Sequence, residues 1–295
     1  MAWRMAASLL LVLGAGVGTA TDTLPKRSAT YAGGYRLLGA DFHVHGFPGD
    51  GGLAAWSMRD EARRAGIDLF ANTNHNQPLT GLFAQWVSGL SEGPLVIAGE
   101  EVTSAEYHLI AVGIHARVSS DQPAVRAIEA IHAQGGVAIA AHPVSSFHGW
   151  TDEAIAMLDG AEVAHPLIEQ GERQRQELMA FYERGRRLNP NLAAIGSSDV
   201  HTTPTMARCR TLLFARDLSA GAVLDAIREG RTVAMDYQGR LYGPPALVGL
   251  AAQQRPVARI DAHPGYRRFS LGVGLLGGLG VLLLGRRREM GSGVI

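Results

Sequence analysis

The sequence of 295 residues contains one cysteine, Cys209, so no intrachain disulfide can form and the fold must be held by its core together with any bound metal. Charge of one sign is also lacking. Lys+Arg and Asp+Glu number 27 each, which leaves no basic surplus of the kind phosphate-backbone binding requires and sets nucleic acid aside as a partner. No glycine pattern of a dinucleotide or P-loop site is present, and no long internal repeat is found.

What is present begins at the ends. Arg4 precedes an apolar run from Met5 to Gly18, and small residues follow at Gly18-Thr19-Ala20, so residues 1–20 read as an export signal, with 21–35 a linker. Phe269 to Gly285 is uncharged, and Arg286-Arg287-Arg288 follows at once; 269–285 therefore reads as a C-terminal transmembrane helix or a sorting segment. On that reading 241–268 is a juxtamembrane linker and 286–295 a cytoplasmic tail. The protein would then be exported and membrane-anchored, its domain on the periplasmic or extracellular side.

Between these ends, residues 36–240 alternate apolar strands and amphipathic helices. Asp41-Phe42-His43-Val44-His45 is a strand whose Asp41, His43 and His45 are expected on one face, and two imidazoles on one face can grip one ion. A lone His-x-His is as often an ordinary half-buried strand. Here further candidates follow, most of them where an expected strand runs out: Asp50 beside Gly51-Gly52, His75 after Ile67 to Ala71, and Glu101 after Leu95 to Ala98. His108 opens the next strand, His142 closes Val137 to Ala141, and Asp199 and His201 follow Leu192 to Gly196. Ser57 is expected to cap a helix that ends at Gly66. The alternation predicts an α/β fold with a mainly parallel sheet. Side chains at the C-terminal strand ends converge only if that sheet closes into a barrel.

Asp41-x-His43-x-His45, Asp50-Gly51, Asn74-His75-Asn76, Gly99-x-Glu101, His108-Leu109, Ala141-His142-Pro143 and Ser198-Asp199-x-His201, in that order, resemble the polymerase and histidinol phosphatase superfamily of metallohydrolases. Arg231-Thr232-Val233 after Ile227-Arg228-Glu229-Gly230 looks most like its carbaryl-hydrolase-like subgroup. The resemblance spans roughly 37–235 and implies a distorted (β/α)7 TIM-like barrel, with the metal site at the C-terminal strand ends. It implies that His43, His45, Glu101 and Asp199 hold a first ion, that Glu101 bridges to a second held with His108 and His142, and that Asp50, His75 and His201 take a third. The chain departs from the family at Asn74, where an aspartate is usual. An amide there is expected to donate less charge and retune a neighbouring ligand.

Six imidazoles and three carboxylates suit two or three Zn, Mn or Fe ions better than Mg or Ca. Such a pair would generate a bridging hydroxide near neutral pH, with Glu101, Asp199 and His201 the catalytic residues. The reading is a metal-dependent hydrolase acting as a phosphoesterase on a small phosphorylated molecule. A carbamate, ester or amide hydrolase is its rival, and a membrane-tethered metal-binding module without turnover is a third reading. Arg208 and Arg210 read either as a phosphate clamp or as solvated arginines. His148, His165, His115, His132 and His263 match no ligand motif.

Overall fold

In the computed structural model the described residues are 2–21, 28–90, 92–201, 206–254, 269, 272–281 and 283. The chain divides into two units, Met1–Arg27 with Ile260–Ile295, and Ser28–Arg259.

In the first unit, α1 (Ala2–Thr21) covers the stretch read as an export signal. Of 269–285, the described residues are helical at 269, 272–281 and 283. Among the described residues no helix is long and apolar enough to cross a membrane. This overturns the C-terminal transmembrane helix and, with it, the membrane-anchored localisation. At about 1.5 Å per residue, the described helical residues 272–281 span roughly half of a hydrocarbon core about 30 Å thick. The supposed tail, 286–295, lies outside the described residues.

The second unit is an α/β barrel. Its elements in order are β1 (Thr30–Ala32), β2 (Tyr35–Val44), α2 (Ala55–Ala65), β3 (Leu69–Asn72), α3 (Leu79–Ser88), β4 (Leu95–Thr103), β5 (His108–Val112), α4 (Ala124–Ala133) and β6 (Val137–Ala140). There follow α5 (Asp152–Met157), β7 (Gly160–Ala164), a 3-10 turn (Pro166–Gln170), α6 (Glu172–Leu188), β8 (Ala193–Gly196), β9 (Arg210–Ala215), α7 (Ala220–Arg228), β10 (Thr232–Met235), β11 (Leu241–Tyr242) and α8 (Pro245–Ala252). Thus 241–254, expected as linker, carries a strand and a helix. Ser57 does not cap α2; the helix starts two residues earlier from Ala54, with no side-chain cap.

The strand order is β11-β10-β9-β2-β3-β4-β5-β6-β7-β8, with β1 beside β2. Pairs β2–β3, β3–β4, β6–β7 and β7–β8 are parallel, whereas β5 runs antiparallel to both neighbours and β9 antiparallel to β2. The sheet is therefore mixed. Strand β5 follows β4 through a tight turn in which the Ser104 N–H and hydroxyl donate to the Tyr107 carbonyl, leaving no room for a crossover helix. An antiparallel strand begins where its parallel neighbours end, which brings His108 to the same rim as the other candidates.

The ring is drawn together at β8 and β9. The Thr211 hydroxyl accepts the Gly196 N–H at 2.9 Å and donates to the Gly196 carbonyl at 2.9 Å. A Cβ on Gly196 would lie 2.3 Å from the Arg210 carbonyl oxygen, so only glycine permits this approach. Beyond the strand end, His45 N donates to Val200 O at 3.0 Å. Helices cover the sheet with apolar faces: α4 buries Ala124, Ala127, Ile128 and Ile131, and α7 buries Val223, Leu224, Ala226 and Ile227, both at helical spacing.

Candidate metal centre

All nine residues singled out from the sequence converge at one rim of the barrel, through contacts that run from His43 to His201. Their approach is not the simple alternation expected of β2. The pairing register shifts between Asp41 and Val44. Leu38, Ala40 and Phe42 share one core cluster, but Val44 joins another with Met58 and Phe70. A bulge re-aims the strand's end, so Asp41 parts company with His43 and His45.

Asp41 is buried and accepts Ser198 N at 3.0 Å and Ala207 N at 2.7 Å, together with the Ser198 hydroxyl. It anchors the loop that presents Asp199. Burial raises the Asp41 pKa, against the opposing effect of these hydrogen bonds. Two candidates, His142 at φ 28° and Asp199 at φ 48°, sit in the left-handed region, as do nearby Asn76 and Ala207. Such backbone strain gathers where the surroundings over-determine a side chain's position.

Four buried atoms form the heart of the centre. His43 Nε2 lies 3.2 Å from Glu101 Oε2 and 3.3 Å from Asp199 Oδ1, and His45 Nε2 lies 3.5 and 3.2 Å from the same two oxygens. None of the four has a hydrogen-bond partner, an arrangement that buried polar atoms rarely tolerate. Donors about 2.0–2.2 Å from a tetrahedral ion are separated by about 3.3–3.6 Å. The observed spacings therefore fit a cation such as zinc.

Around this heart the remaining candidates form two further groups. His108 Nδ1 is 2.7 Å and His142 Nε2 3.3 Å from Glu101 Oε1, so one carboxylate faces two groups. His75 Nε2 is 3.3 Å and His201 Nε2 3.2 Å from Asp50 Oδ2. The other ring nitrogens fix the orientation. His43 Nδ1 turns to Glu162 Oε1 at 3.1 Å, His45 Nδ1 to Asp50 Oδ1 at 3.1 Å, His75 Nδ1 to the Thr103 hydroxyl at 2.6 Å, and His201 Nδ1 to the Asp199 carbonyl at 3.0 Å. His43 and His45 then present a bare Nε2 inward, the state in which imidazole binds metal, whereas the Nε2 of His75 and of His201 faces Asp50 Oδ2.

The electrostatics agree. Burial works against the charge of Glu101 and Asp199, but His43 and the hydrogen-bonding histidines outweigh it and hold both carboxyls well below the usual range. Burial lowers His45 and His142, keeping them neutral. His43, also opposed by burial, is raised well above its ordinary value by Asp199, Glu101 and Glu162. A site that draws positive charge onto a fully buried ring is a site built for a cation.

Asn74 does not touch a candidate ligand. Its Oδ1 accepts Gly46 N at 2.7 Å and its Nδ2 donates to Gly46 O at 2.7 Å, which pins the chain between His45 and Asp50. The expectation that it retunes an adjacent ligand is corrected: an amide is needed here because its partner both donates and accepts. The same loop passes so close that a Cβ on Gly51 would lie 2.1 Å from the His45 carbonyl.

The two arginines are committed elsewhere. Arg208 is paired with Glu169 and Arg210 donates to the Ala207 and Ala65 carbonyls. Two residues without a sequence motif belong to the centre. Glu162 is fully buried between His43 and the His142 N–H, which it accepts at 2.6 Å. His165 lies 3.4 Å from Asp199 Oδ2. Their only trace in the sequence is position, since Glu162 and His165 flank the end of β7 as the other candidates flank their strands.

The fold is shared with a two-domain protein from Bacteroides vulgatus that contains a predicted PHP-like metal-dependent phosphoesterase. The two are 22% identical, with TM-score 0.62, over 78% of this chain and 74% of that one. A candidate metal-dependent phosphoesterase from Bifidobacterium adolescentis matches at 18% identity and TM-score 0.43 over 65% and 94% of the chains. An amidohydrolase from Chromobacterium violaceum with bound sulfate and no metal matches at 14% and 0.42 over 74% and 98%. No curated protein matches the sequence. A family model described as PHP-associated matches residues 189–232, the stretch from the end of α6 through Asp199 and His201 to β10. Over that stretch the chain is similar to PHP-associated sequences, and over most of its length it shares a fold with a protein that contains a predicted PHP-like phosphoesterase. The candidates arrive in chain order on successive strand ends, and the matched stretch holds the last two, Asp199 and His201.

Proposed function

We propose that this protein is a metal-dependent hydrolase of the PHP type, and specifically a phosphoesterase acting on a small phosphorylated molecule. The observation that carries the reading is the quartet of unpartnered buried atoms, His43 Nε2, His45 Nε2, Glu101 Oε2 and Asp199 Oδ1, each nitrogen 3.2–3.5 Å from each oxygen. These four residues would hold the first ion. Glu101 would reach a second with His108 and His142, and Asp50, His75 and His201 would hold a third. When bound, such ions supply Lewis-acid charge and acidify a water near neutral pH, which removes the need for a protein nucleophile.

The protein's own part is orientation. Glu162, Thr103 and the Asp199 carbonyl fix three imidazoles, and Asp41 fixes the loop of Asp199. Because Arg208 and Arg210 are engaged with protein groups, bound cations would supply the positive charge that receives a substrate anion. That favours a compact charged group such as phosphate.

The test is elemental analysis of the purified protein together with turnover of p-nitrophenyl phosphate and of a naphthyl carbamate. Two or three equivalents of Zn, Mn or Fe with phosphatase turnover is the expected result. Turnover of the carbamate alone would overturn the phosphoesterase assignment, and a protein that takes up no metal would overturn the hydrolase.

A further inference from the structure

One buried histidine of the centre is wired in the opposite sense to its neighbours. His43, His45, His75 and His201 each turn Nδ1 to an oxygen and Nε2 towards a carboxylate of the centre. In His165 it is Nδ1 that accepts, taking the Leu167 backbone N–H at 3.2 Å. The geometry is built into the chain. His165 stands at the N-cap of the 3-10 turn Pro166–Gln170, and Pro166 has no N–H, so Leu167 is the first residue of the turn with a hydrogen to give.

A neutral imidazole carries one N–H. With Nδ1 occupied as an acceptor, the hydrogen must be on Nε2, and a nitrogen that bears hydrogen has no lone pair for a cation. The side chain is 4% exposed, and Nε2 has no hydrogen-bond partner. It is aimed into the centre, 3.4 Å from Asp199 Oδ2 and 4.0 Å from Glu162 Oε2, with the His142 ring centroid 5.0 Å away. By proximity alone His165 could be grouped with His43 and His142 as a ligand. The Leu167 N–H argues against it, because freeing Nε2 would put a hydrogen on Nδ1 against that donor.

We propose that His165 is a positioning residue: a donor fixed in one tautomer, whose Nε2–H holds Asp199 Oδ2 and thereby turns Oδ1 towards His43 and His45. The division of labour between the two oxygens is visible, since Oδ1 lies 3.3 and 3.2 Å from those two Nε2 atoms. This rests on the metal-binding reading above. Partners of this kind, which orient a ligand without touching the ion, typically set metal affinity by about ten- to a hundredfold.

The test compares the full-length protein with H165L, which removes the donor, and H165Q, whose amide restores one. Zinc affinity is measured by competition with a chromophoric chelator, and ring-nitrogen NMR reads the His165 tautomer, assigned by its loss in H165Q. The expected result is bare Nδ1 and protonated Nε2 in the unmutated protein with and without zinc. The affinity of H165L should fall roughly tenfold or more at unchanged stoichiometry, with H165Q recovering most of it. The reversed tautomer would overturn the proposal, as would unchanged affinity in H165L or the loss of one whole equivalent in both variants. Should H165L fail to fold, the tautomer and H165Q decide. An unmutated protein that takes no zinc contradicts the hydrolase reading instead, while its tautomer still tests the wiring.

Discussion

Glu162 and His43, 119 residues apart in the chain, meet at 3.1 Å with both side chains fully buried. A carboxylate behind a ligating imidazole fixes its tautomer and raises its basicity. Glu162→Gln keeps the shape but removes the charge, so zinc affinity should fall by about ten- to a hundredfold while the fold is retained. Chelator competition with circular dichroism checks both halves, and unchanged affinity would remove Glu162 from the centre.

Asn74 and Asp41 make a matched pair of opposite demands. The Gly46 backbone offers Asn74 one donor and one acceptor, whereas the groups around Asp41 are Ser198 N, the Ser198 hydroxyl, Ala207 N and His43 N. Asn74→Asp leaves the Gly46 carbonyl without a donor and is expected to cost about 1–3 kcal/mol, read as a lower midpoint in urea. A midpoint at or above that of the unmutated protein would refute this account of the departure from the family.

Asp41→Asn sets an amide hydrogen pair against backbone donors at the root of the Asp199 loop. It should destabilise by a similar amount, about 1–3 kcal/mol, and also lose turnover, because Asp199 is released from its strained position. If denaturation shows the loss but activity at low temperature is intact, Asp41 serves the fold alone.

Gly51 is the loop's point of contact with β2. Gly51→Ala places a methyl group 2.1 Å from the His45 carbonyl, so the loop must move and carry Asp50 with it. The expected outcome is loss of one equivalent of metal, that assigned to Asp50, His75 and His201, at full occupancy of the others. Elemental analysis reads it directly, and full stoichiometry would count against the third site.

Cys209 is buried, which pushes its thiol up to about 12. A raised thiol pKa favours folding below the unfolded value near 9, and that contribution is lost as pH rises towards 12. At pH 8 the thiol should react with iodoacetamide only as fast as the protein unfolds. Labelling at the rate of a free thiol, followed by mass spectrometry, would show the burial to be wrong.

Much of the centre was legible because chemistry and position coincide: nine residues of metal-binding type stand at or near strand ends, and strand ends of a barrel meet. What was not legible depends on hydrogen bonds between distant segments. Nothing in Ala161-Glu162-Val163-Ala164-His165 announces a carboxylate for His43 or a donor for Asp199. The bulge that separates Asp41 from His43 is a matter of register, which alternation cannot report. Strand β5 was expected, but its reversed direction follows from the tight turn at Ser104. The apolar run at 269–285 has the composition of a membrane span, yet its glycines and short helical extent leave no helix of spanning length among the described residues.

The clasp between Thr211 and Gly196 has a kinetic consequence. A single hydroxyl, as both donor and acceptor, joins β8 to β9 where elsewhere whole ladders join neighbours. Asp199 and His201 lie just beyond that clasp, while Glu101 and His108 ride on strands joined by an unbroken ladder. Separation at this seam would loosen the root of the loop that carries Asp199 and His201, a loop otherwise held by Asp41 and by the His45 N–H. Any ion held by Asp199 should accordingly exchange only when Thr211 and Asp41 let go together.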